Sequence, residues 1–111
     1  MKTVIDGTLL KHAEQLRYAD GTAVVRVLLA PNQVGALPVL AERAFGATPS
    51  ASFAAANAAR DMRKGTPVVV HGESLSFGKH DGSPVVRIHA VSHIGREVAR
   101  MHHEPEAAQA A

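Results

Sequence analysis

Two β-rich segments, residues 3–30 and 62–94, lie on either side of an Ala-rich stretch, and this order restricts the chain to few folds. In each segment, two runs of β-forming residues flank a polar turn with glycine at its tip. The two turns are residues 19–21 and 79–82, and basic residues lie beside both. We therefore predict that the two segments are the front and back of one small β-barrel.

Composition limits the chain to one domain with a modest core. It has 111 residues, of which 46% are hydrophobic and 20% are charged, as in ordinary globular domains. The absence of cysteine excludes disulfides and thiolate chemistry. No apolar run approaches the ~20 residues that span a bilayer, and the N-terminus lacks the apolar stretch of a secretion signal. A cytoplasmic protein without membrane contact is predicted.

The first β-rich segment contains two predicted strands, residues 3–10 and 22–29. In the second of these strands, alternation places four apolar residues on one face, namely Ala23, Val25, Val27 and Leu29. The other face carries Val24, Arg26 and Leu28. A strand that is apolar on nearly both faces is typical of a closed barrel.

Residues 34–45 allow two interpretations. Residues 37–40 are consistent with an edge strand, whereas Pro38 followed by residues 41–44 also permits a short helix. We favour the strand and retain the helix as the alternative.

The Ala-rich stretch is predicted to form a helix between Thr48 and Gly65. Thr48 followed by Pro49 is typical of an N-cap with proline at the first helical position, and Gly65 after two basic residues is typical of a helix end. Helical spacing aligns a narrow stripe of apolar residues, Ala55, Ala58, Ala59 and Met62. The small side chains of this stripe predict close packing of the helix against the barrel.

Two more strands are predicted at residues 67–75 and 84–94, joined by a hairpin loop at residues 76–83. The resulting order, β-β-β-α-β-β, predicts an all-β fold. It is typical of the five-stranded oligonucleotide/oligosaccharide-binding (OB) barrel with one helix between strands three and four. We expect this domain to occupy residues 1–95 and a short C-terminal tail to occupy residues 96–111.

A family resemblance is carried by residues in both β-rich segments. In the first segment they are Gly7, Leu9, Leu16-Arg17-Tyr18, Gly21, Ala23-Val24-Val25 and Leu29-Ala30. In the second they are Arg63-Lys64-Gly65, Val68-Val69-Val70, Gly72, Leu75 and Gly82. In this order and spacing, the chain resembles the bacterial single-stranded DNA-binding protein family. The resemblance implies an OB barrel that binds unpaired DNA with little sequence preference and assembles as a homodimer or homotetramer.

The chain also departs from the pattern of that family. Family members stack bases on several aromatic side chains, often Trp. This chain has no Trp, and its aromatic residues are Tyr18, Phe45, Phe53 and Phe77. The acidic, apolar-tipped tail of the family is replaced by Glu104-Pro105-Glu106 followed by Ala and Gln. A divergent member is implied: either an accessory protein of a mobile element or phage, or a relative of primosomal replication protein N.

Single-strand binding requires cations along a phosphate track and flat groups on which bases can stack. The predicted nucleic-acid-binding residues are Lys11, Arg17, Tyr18, Arg26, Phe77, Lys79, His80 and Arg87. Phe77 with Lys79 and His80 is the strongest group, because one ring lies beside two potential donors in the predicted hairpin loop. Tyr18 beside Arg17 comes second.

Several of these residues also have a structural interpretation, which the sequence leaves open. Phe77 can close one end of the barrel, and Tyr18 can stabilise the fold without contacting DNA. Arg17 and Arg26 can be solvated residues on a β-surface.

No motif predicts an enzyme. The chain lacks a Gly-x-Ser-x-Gly elbow, a paired-acid pattern and a phosphate-cradling glycine-rich loop. His102-His103-Glu104 and the predicted same-face pair His89 and His93 raise the question of metal binding, but neither has a third ligand at a familiar spacing. Neither a metal nor a cofactor is predicted.

The predicted partner is single-stranded DNA, with RNA as an alternative, and replication or mobile-element proteins are further candidates. The scarcity of aromatic residues favours a competing hypothesis. In that hypothesis, the chain is an OB-fold protein-interaction module of a primosome-like or DNA-transfer complex, with weak or no nucleic-acid binding.

Overall fold

The computed structural model describes residues 2–97 and contains eight strand segments and one helix in that part of the chain. The strands are β1 (Thr3–Leu9), β2 (Glu14–Arg17), β3 (Ala23–Pro31), β4 (Val39–Gly46), β5 (Pro67–Gly72), β6 (Ser74–His80), β7 (Ser83–His89) and β8 (His93–Arg96). The helix, α1 (Pro49–Arg60), lies between β4 and β5 in the chain. Most of the predicted tail, including His102-His103-Glu104, lies outside the described residues. Within residues 2–97, no helix combines the length and the apolar character needed to cross a bilayer.

The strand segments form one sheet with the hydrogen-bonded order β6-β7-β4-β3-β1-β5-β8, and β2 also pairs with β3. β1 and β2 both run antiparallel to β3, so they act as one long strand bent at residues 10–13. Only Glu73 separates β5 from β6. β5 pairs with β8 and β6 pairs with β7, and β7 and β8 are themselves two parts of one strand bent at Ala90. Counted as bent strands, the eight segments give the predicted five. The predicted OB fold, with its helix between strands three and four, is confirmed, but the expected full closure of the barrel is not found in the sheet order of residues 2–97.

The core lies on the inward face of the curved sheet. The predicted alternation in β3 is confirmed, since the exposed fractions of its inward residues are 3%, 1%, 1% and 0% for Ala23, Val25, Val27 and Leu29. Side chains from the other strands and from α1 complete this cluster, including Leu9, Ala41, Ala55, Val68, Val70 and Ile94. Because side chains alternate along a strand, the even-numbered residues of β3 face the opposite way.

Helix α1 begins where the sequence predicts. Thr48 is the N-cap, and its side-chain oxygen accepts a first-turn backbone hydrogen bond at 3.1 Å. The predicted stripe packs on the core as expected through Ala55, Ala58, Ala59 and Met62. The predicted end at Gly65 is wrong, because α1 ends at Arg60 and Met62 turns into the core, where it is 2% exposed. Gly65 instead donates its N–H to the carbonyl of Leu9 at the end of β1.

The ambiguous stretch at residues 34–45 contributes strand β4, so the favoured interpretation is confirmed. β4 lies between β3 and β7 and is therefore a central strand, not the expected edge strand. Pro38 is tolerated because it precedes the strand, and its carbonyl accepts a hydrogen bond from the N–H of Val86 at 2.9 Å.

The predicted hairpin and its glycine-tipped turn are confirmed, but the loop bounds of 76–83 are wrong. β6 continues to His80 and β7 begins at Ser83, so a two-residue turn, Asp81-Gly82, joins the strands. Both turn residues have positive φ, 52° and 80°, as the type I′ turn favoured by Asp-Gly requires. We call this β6–β7 hairpin the arm.

The predicted fifth strand is bent at Ala90, whose φ of 52° lies in the left-handed region. His89 and His93 therefore belong to separate segments and do not share one strand face as predicted. Nε2 of His89 lies 2.6 Å from Oγ of Ser76. His93 packs edge-on against His71, with ring centroids 5.3 Å apart.

Gly7 lies where β1 pairs with β3 on one side and β5 on the other, as does its neighbour Thr8. An added Cβ would collide with the carbonyl of Ala30 and lie 2.9 Å from Cα of Pro31. We expect Gly7→Ala to lower the free energy of unfolding by about 3 kcal/mol, because backbone atoms cannot move aside cheaply. Urea unfolding measures this change. The neighbouring variant Thr8→Ala should cost less than about 1 kcal/mol, and equal costs for the two variants would contradict the prediction.

Candidate nucleic-acid interface

The outward face of β3 and β4 is the side of the sheet opposite to the core. Its cross-strand pairs are Val24–Ala44, Arg26–Glu42 and Leu28–Leu40. From the flanking strands, β2 places Glu14 opposite Arg26, and β7 places Arg87 opposite Leu40. An Arg-Glu pair thus lies at the centre of the surface on which the sequence predicts a phosphate track.

A polar network on this face, here called the Glu42 cluster, consists of Lys11, Glu14, Tyr18, Arg26 and Glu42. The Tyr18 hydroxyl donates to Oε1 of Glu42 at 2.7 Å, and Nε of Arg26 donates to Oε2 at 2.7 Å. A terminal nitrogen of Arg26 lies 3.8 Å from Oε1 of Glu14. Nζ of Lys11 lies 3.5 Å from Oε2 of Glu14. The structure therefore brings three predicted residues together with two carboxylates that balance their charge.

The electrostatics of the cluster favour an ionised Glu42. Burial alone raises the pKa of Glu42, but the hydrogen bonds from Tyr18 and Arg26 and the positive charges of Arg26 and Arg87 outweigh it, so the pKa lies below its usual value. The hydrogen bond to Glu42, with some help from burial, raises the pKa of Tyr18. Tyr18 therefore remains a neutral donor to a charged acceptor.

A pocket of about 190 Å³ borders the cluster and is lined by Tyr18, Leu40, Glu42, Arg87, Ile88, His89 and Ala90. Arg87 lies along Gly78 on the neighbouring strand, where an added Cβ would come within 3.2 Å of its Nε. The missing side chain at Gly78 makes room for Arg87 on this face. Among residues 2–97, no carboxylate comes within ion-pair distance of Arg87.

The arm displays a second candidate surface. Leu75, Phe77 and Lys79 alternate along one face of β6, and Phe77 lies opposite Val86 of β7. Leu75 is 50% exposed and Phe77 is 84% exposed. A ring with that exposure does not close an end of the barrel, and it remains accessible for stacking.

The two surfaces face opposite sides of the sheet. Phe77 pairs with Val86, whereas the adjacent residue Ser76 pairs with Arg87, so strand alternation points Phe77 and Arg87 in opposite directions. Lys79 shares the face of Phe77. The predicted residues therefore do not form one continuous patch: Lys11, Tyr18, Arg26 and Arg87 lie on one side, and Phe77 and Lys79 on the other.

His80 and Arg17 differ from the predicted pattern. His80 lies on the arm face opposite to Phe77, its side chain is 13% exposed, and its Nε2 is 3.5 Å from the Asp81 carboxylate. Arg17 donates to the carbonyl of Gly21 at 2.8 Å and to Oγ of Ser52 at 2.9 Å. These bonds tie the first turn to helix α1, which supports the structural interpretation of Arg17.

Glu14 and Glu42 are the site residues that the sequence analysis missed. Their spacing in the chain carries no motif, and they meet Arg26 only through the registers of β2 and β4 with β3. Glu42 could have been found only by aligning the predicted strand β4 against β3, which places a glutamate opposite Arg26. The Phe45 ring is not part of either surface, because it packs against the core. The Arg43 guanidinium lies over it, 4.6 Å from the centroid of the Phe45 ring.

Solved structures similar to this chain include three bacterial single-stranded DNA-binding proteins. The wild-type protein from Thermus aquaticus is 26% identical with a TM-score of 0.52, and the match covers 87% of this chain and 40% of that chain. The small protein from Streptomyces coelicolor is 19% identical with a TM-score of 0.52, covering 90% and 96%. The second such protein from Mycobacterium smegmatis is 17% identical with a TM-score of 0.56, covering 98% of both chains.

These similarities show that the chain has the OB-type fold of bacterial single-stranded DNA-binding proteins. The chain spans about 40% of the length of the Thermus protein. No protein-family profile matches the chain, and no curated protein matches it in sequence. The three similar structures include no primosomal protein, so that part of the resemblance stays a prediction.

Glu42→Gln should lower the free energy of unfolding at pH 7 by about 1 kcal/mol, because a charge-assisted acceptor becomes neutral. The pKa of Glu42 is lower in the folded state than its ordinary value of 4.5. The contribution of ionised Glu42 to the free energy of unfolding is therefore fully present above pH 4.5 and disappears as the pH falls through the lower folded pKa. Urea unfolding at pH 7 and at about pH 3 should show the difference between wild type and variant shrinking in acid.

Glu14→Gln provides the comparison, since Glu14 meets its cations only at 3.5 and 3.8 Å. Its effect at pH 7 should be smaller than that of Glu42→Gln. A constant difference between wild type and Glu42→Gln at both pH values would contradict the assigned ion pair.

Proposed function

We propose that this chain is a non-sequence-specific single-stranded DNA-binding protein without enzymatic activity. It acts in the cytoplasm in replication, recombination, repair or mobile-element maintenance. The observation that carries this proposal is an exposed ring beside a cation, Phe77 and Lys79, on the arm of a fold shared with three bacterial single-stranded DNA-binding proteins. A stacked base and a nearby phosphate are the two groups that such a pair recognises.

The proposed mode of binding follows from the chemistry of the arm. A base stacks on the open face of Phe77, and Lys79, two residues along the same strand face, attracts the adjoining phosphate. Every base has a π-face and every nucleotide has a phosphate, so neither contact reads sequence. Arg87, on the opposite face of the arm, offers a further cation to a strand that passes around the edge of β6. RNA offers the same two groups and remains an alternative ligand.

The competing function is an OB-fold protein-interaction module of a primosome-like or DNA-transfer complex. One specific observation favours it: Arg26 and Lys11, which the sequence assigns to phosphates, are matched by Glu42 and Glu14. A surface with compensated charges attracts a polyanion weakly. Under this alternative, no oligonucleotide binding is expected even at low salt.

Phe77→Ala should weaken binding to labelled oligothymidine roughly 5- to 30-fold, which corresponds to about 1–2 kcal/mol for one stacked base. Lys79→Glu should also weaken binding, and Lys79→Gln should reduce the slope of log affinity against log salt by about 0.7, the value for one phosphate on a single strand. Fluorescence anisotropy at several salt concentrations measures both quantities.

Phe53→Ala and Lys64→Gln are matched controls. Phe53 is a 74% exposed ring on helix α1, and Lys64 is an exposed cation beyond the end of α1. Both controls should bind like wild type. If Phe53→Ala and Phe77→Ala lose equal affinity for oligothymidine, the arm is not the binding surface. If wild type does not bind at low salt, the interaction module is favoured.

We also propose that the chain assembles as a homodimer or homotetramer. β6 and β8 end the hydrogen-bonded order, so each leaves an edge whose backbone groups another chain can pair with or cover. Several linked binding surfaces would compensate for one poor aromatic platform through effective concentration. Light scattering should give two or four times the chain mass of 11.7 kDa, and a mass of one chain would contradict this part of the proposal.

A further inference from the structure

We propose that the Glu42 carboxylate occupies a phosphate subsite on the outward face of β3 and β4 and competes there with the backbone of a bound single strand. This inference rests on the proposed function and assigns a specific role to one residue of the same surface. The ligand of the subsite is a phosphodiester group. Its donors are the Tyr18 hydroxyl and the Arg26 guanidinium, and Arg87 borders it.

The geometry around Glu42 is that of an occupied anion site. One carboxylate oxygen accepts from Tyr18 and the other accepts from Arg26, each at 2.7 Å. A hydroxyl and a guanidinium aimed at adjacent oxygens are equally suited to two oxygens of a phosphate. The pocket beside Glu42 is lined by Tyr18 and Arg87, so a phosphate entering it would meet the Tyr18 hydroxyl and a second cation.

A negative charge already held at this position has two effects on a polyanion. It repels an incoming phosphate, and it satisfies the donors that would otherwise reward binding. Replacing one charge-assisted hydrogen bond by another yields little net free energy. Arg26 should therefore contribute little to DNA affinity while Glu42 is ionised, although it lies on the expected binding face.

Glu14 is a second carboxylate beside Arg26. Its Oε1 is buried, accepts no hydrogen bond from the described residues and lies 3.8 Å from Arg26. When Glu42 is neutral, Glu14 is close enough to retain part of the Arg26 charge. Full release of Arg26 therefore requires neutralising both carboxylates, which makes the double variant Glu14→Gln/Glu42→Gln the strongest test.

The first measurement is the affinity of Glu42→Gln for labelled oligothymidine over a range of salt concentrations. We expect affinity to rise about 5-fold or more, and the salt slope to steepen by less than the ~0.7 of one fully neutralised phosphate, a value that the double variant should reach. The control is Asp61→Asn, which makes the same change in net charge at the exposed C-cap of α1. It should raise affinity less than about 2-fold, the effect of general charge alone.

A double-mutant cycle then isolates the contact with Arg26. Arg26→Gln should change affinity less than about 2-fold in wild type, but should abolish most of the gain in the Glu42→Gln and double-carboxylate backgrounds. Thermal unfolding of each variant shows that it is folded at the assay temperature.

The outcomes separate this inference from the proposed function. If wild type binds and Glu42→Gln gains no more than Asp61→Asn, the competing role of Glu42 is wrong and DNA binding stands. If wild type binds poorly and the double-carboxylate variant binds well through Arg26, the inference is supported and wild type is not an efficient DNA-coating protein. If none of the variants binds, both proposals are wrong.

Discussion

Burial of the odd-numbered side chains of β3 is the constraint on which the rest of the structure depends. β3 pairs with β1, β2 and β4, and its inward residues belong to one core cluster with side chains from other strands and from α1. A shift of one residue in any of these pairings would expose an apolar row, so the registers are strongly specified. With the inward face set, Arg26 must point outward, and the pairings bring Glu14 and Glu42 to it.

The outward face that results is unlike a simple positive groove. Its two central cations are balanced by two carboxylates, and the positive charge of Arg87 and Lys79 lies toward the arm. The Phe77 ring is on the arm as well. Affinity for a single strand is therefore expected to come mainly from the arm, while the Glu42 cluster sets how much the central strands add. Under the proposed role of Glu42, one well-placed carboxylate would change how strongly this fold binds a single strand.

Local signals in the sequence were reliable where short-range chemistry decides the conformation. Thr48-Pro49 begins a helix, Gly21 completes the first turn, and the odd-numbered residues of β3 form the predicted buried row. The hairpin of the arm and its Gly82 turn were predicted, but its strands were predicted too short, because the polar stretch from Ser76 was assigned to a loop. The end of α1 was placed too late, because the helix already ends at the C-cap Asp61 and Met62 lies beyond it in the core.

The sequence by itself determined the class of fold, the order of its elements and which residues are apolar enough to be buried, because periodicity and turn chemistry act over a few neighbouring residues. Only the tertiary structure decided which charges meet. Arg26 and Glu42 are 16 residues apart and become hydrogen-bonded partners through strand register. Phe77 and Arg87, both predicted to bind DNA, are directed to opposite faces of one hairpin by the same rule. Register is a property of paired strands, and a single strand read alone does not contain it.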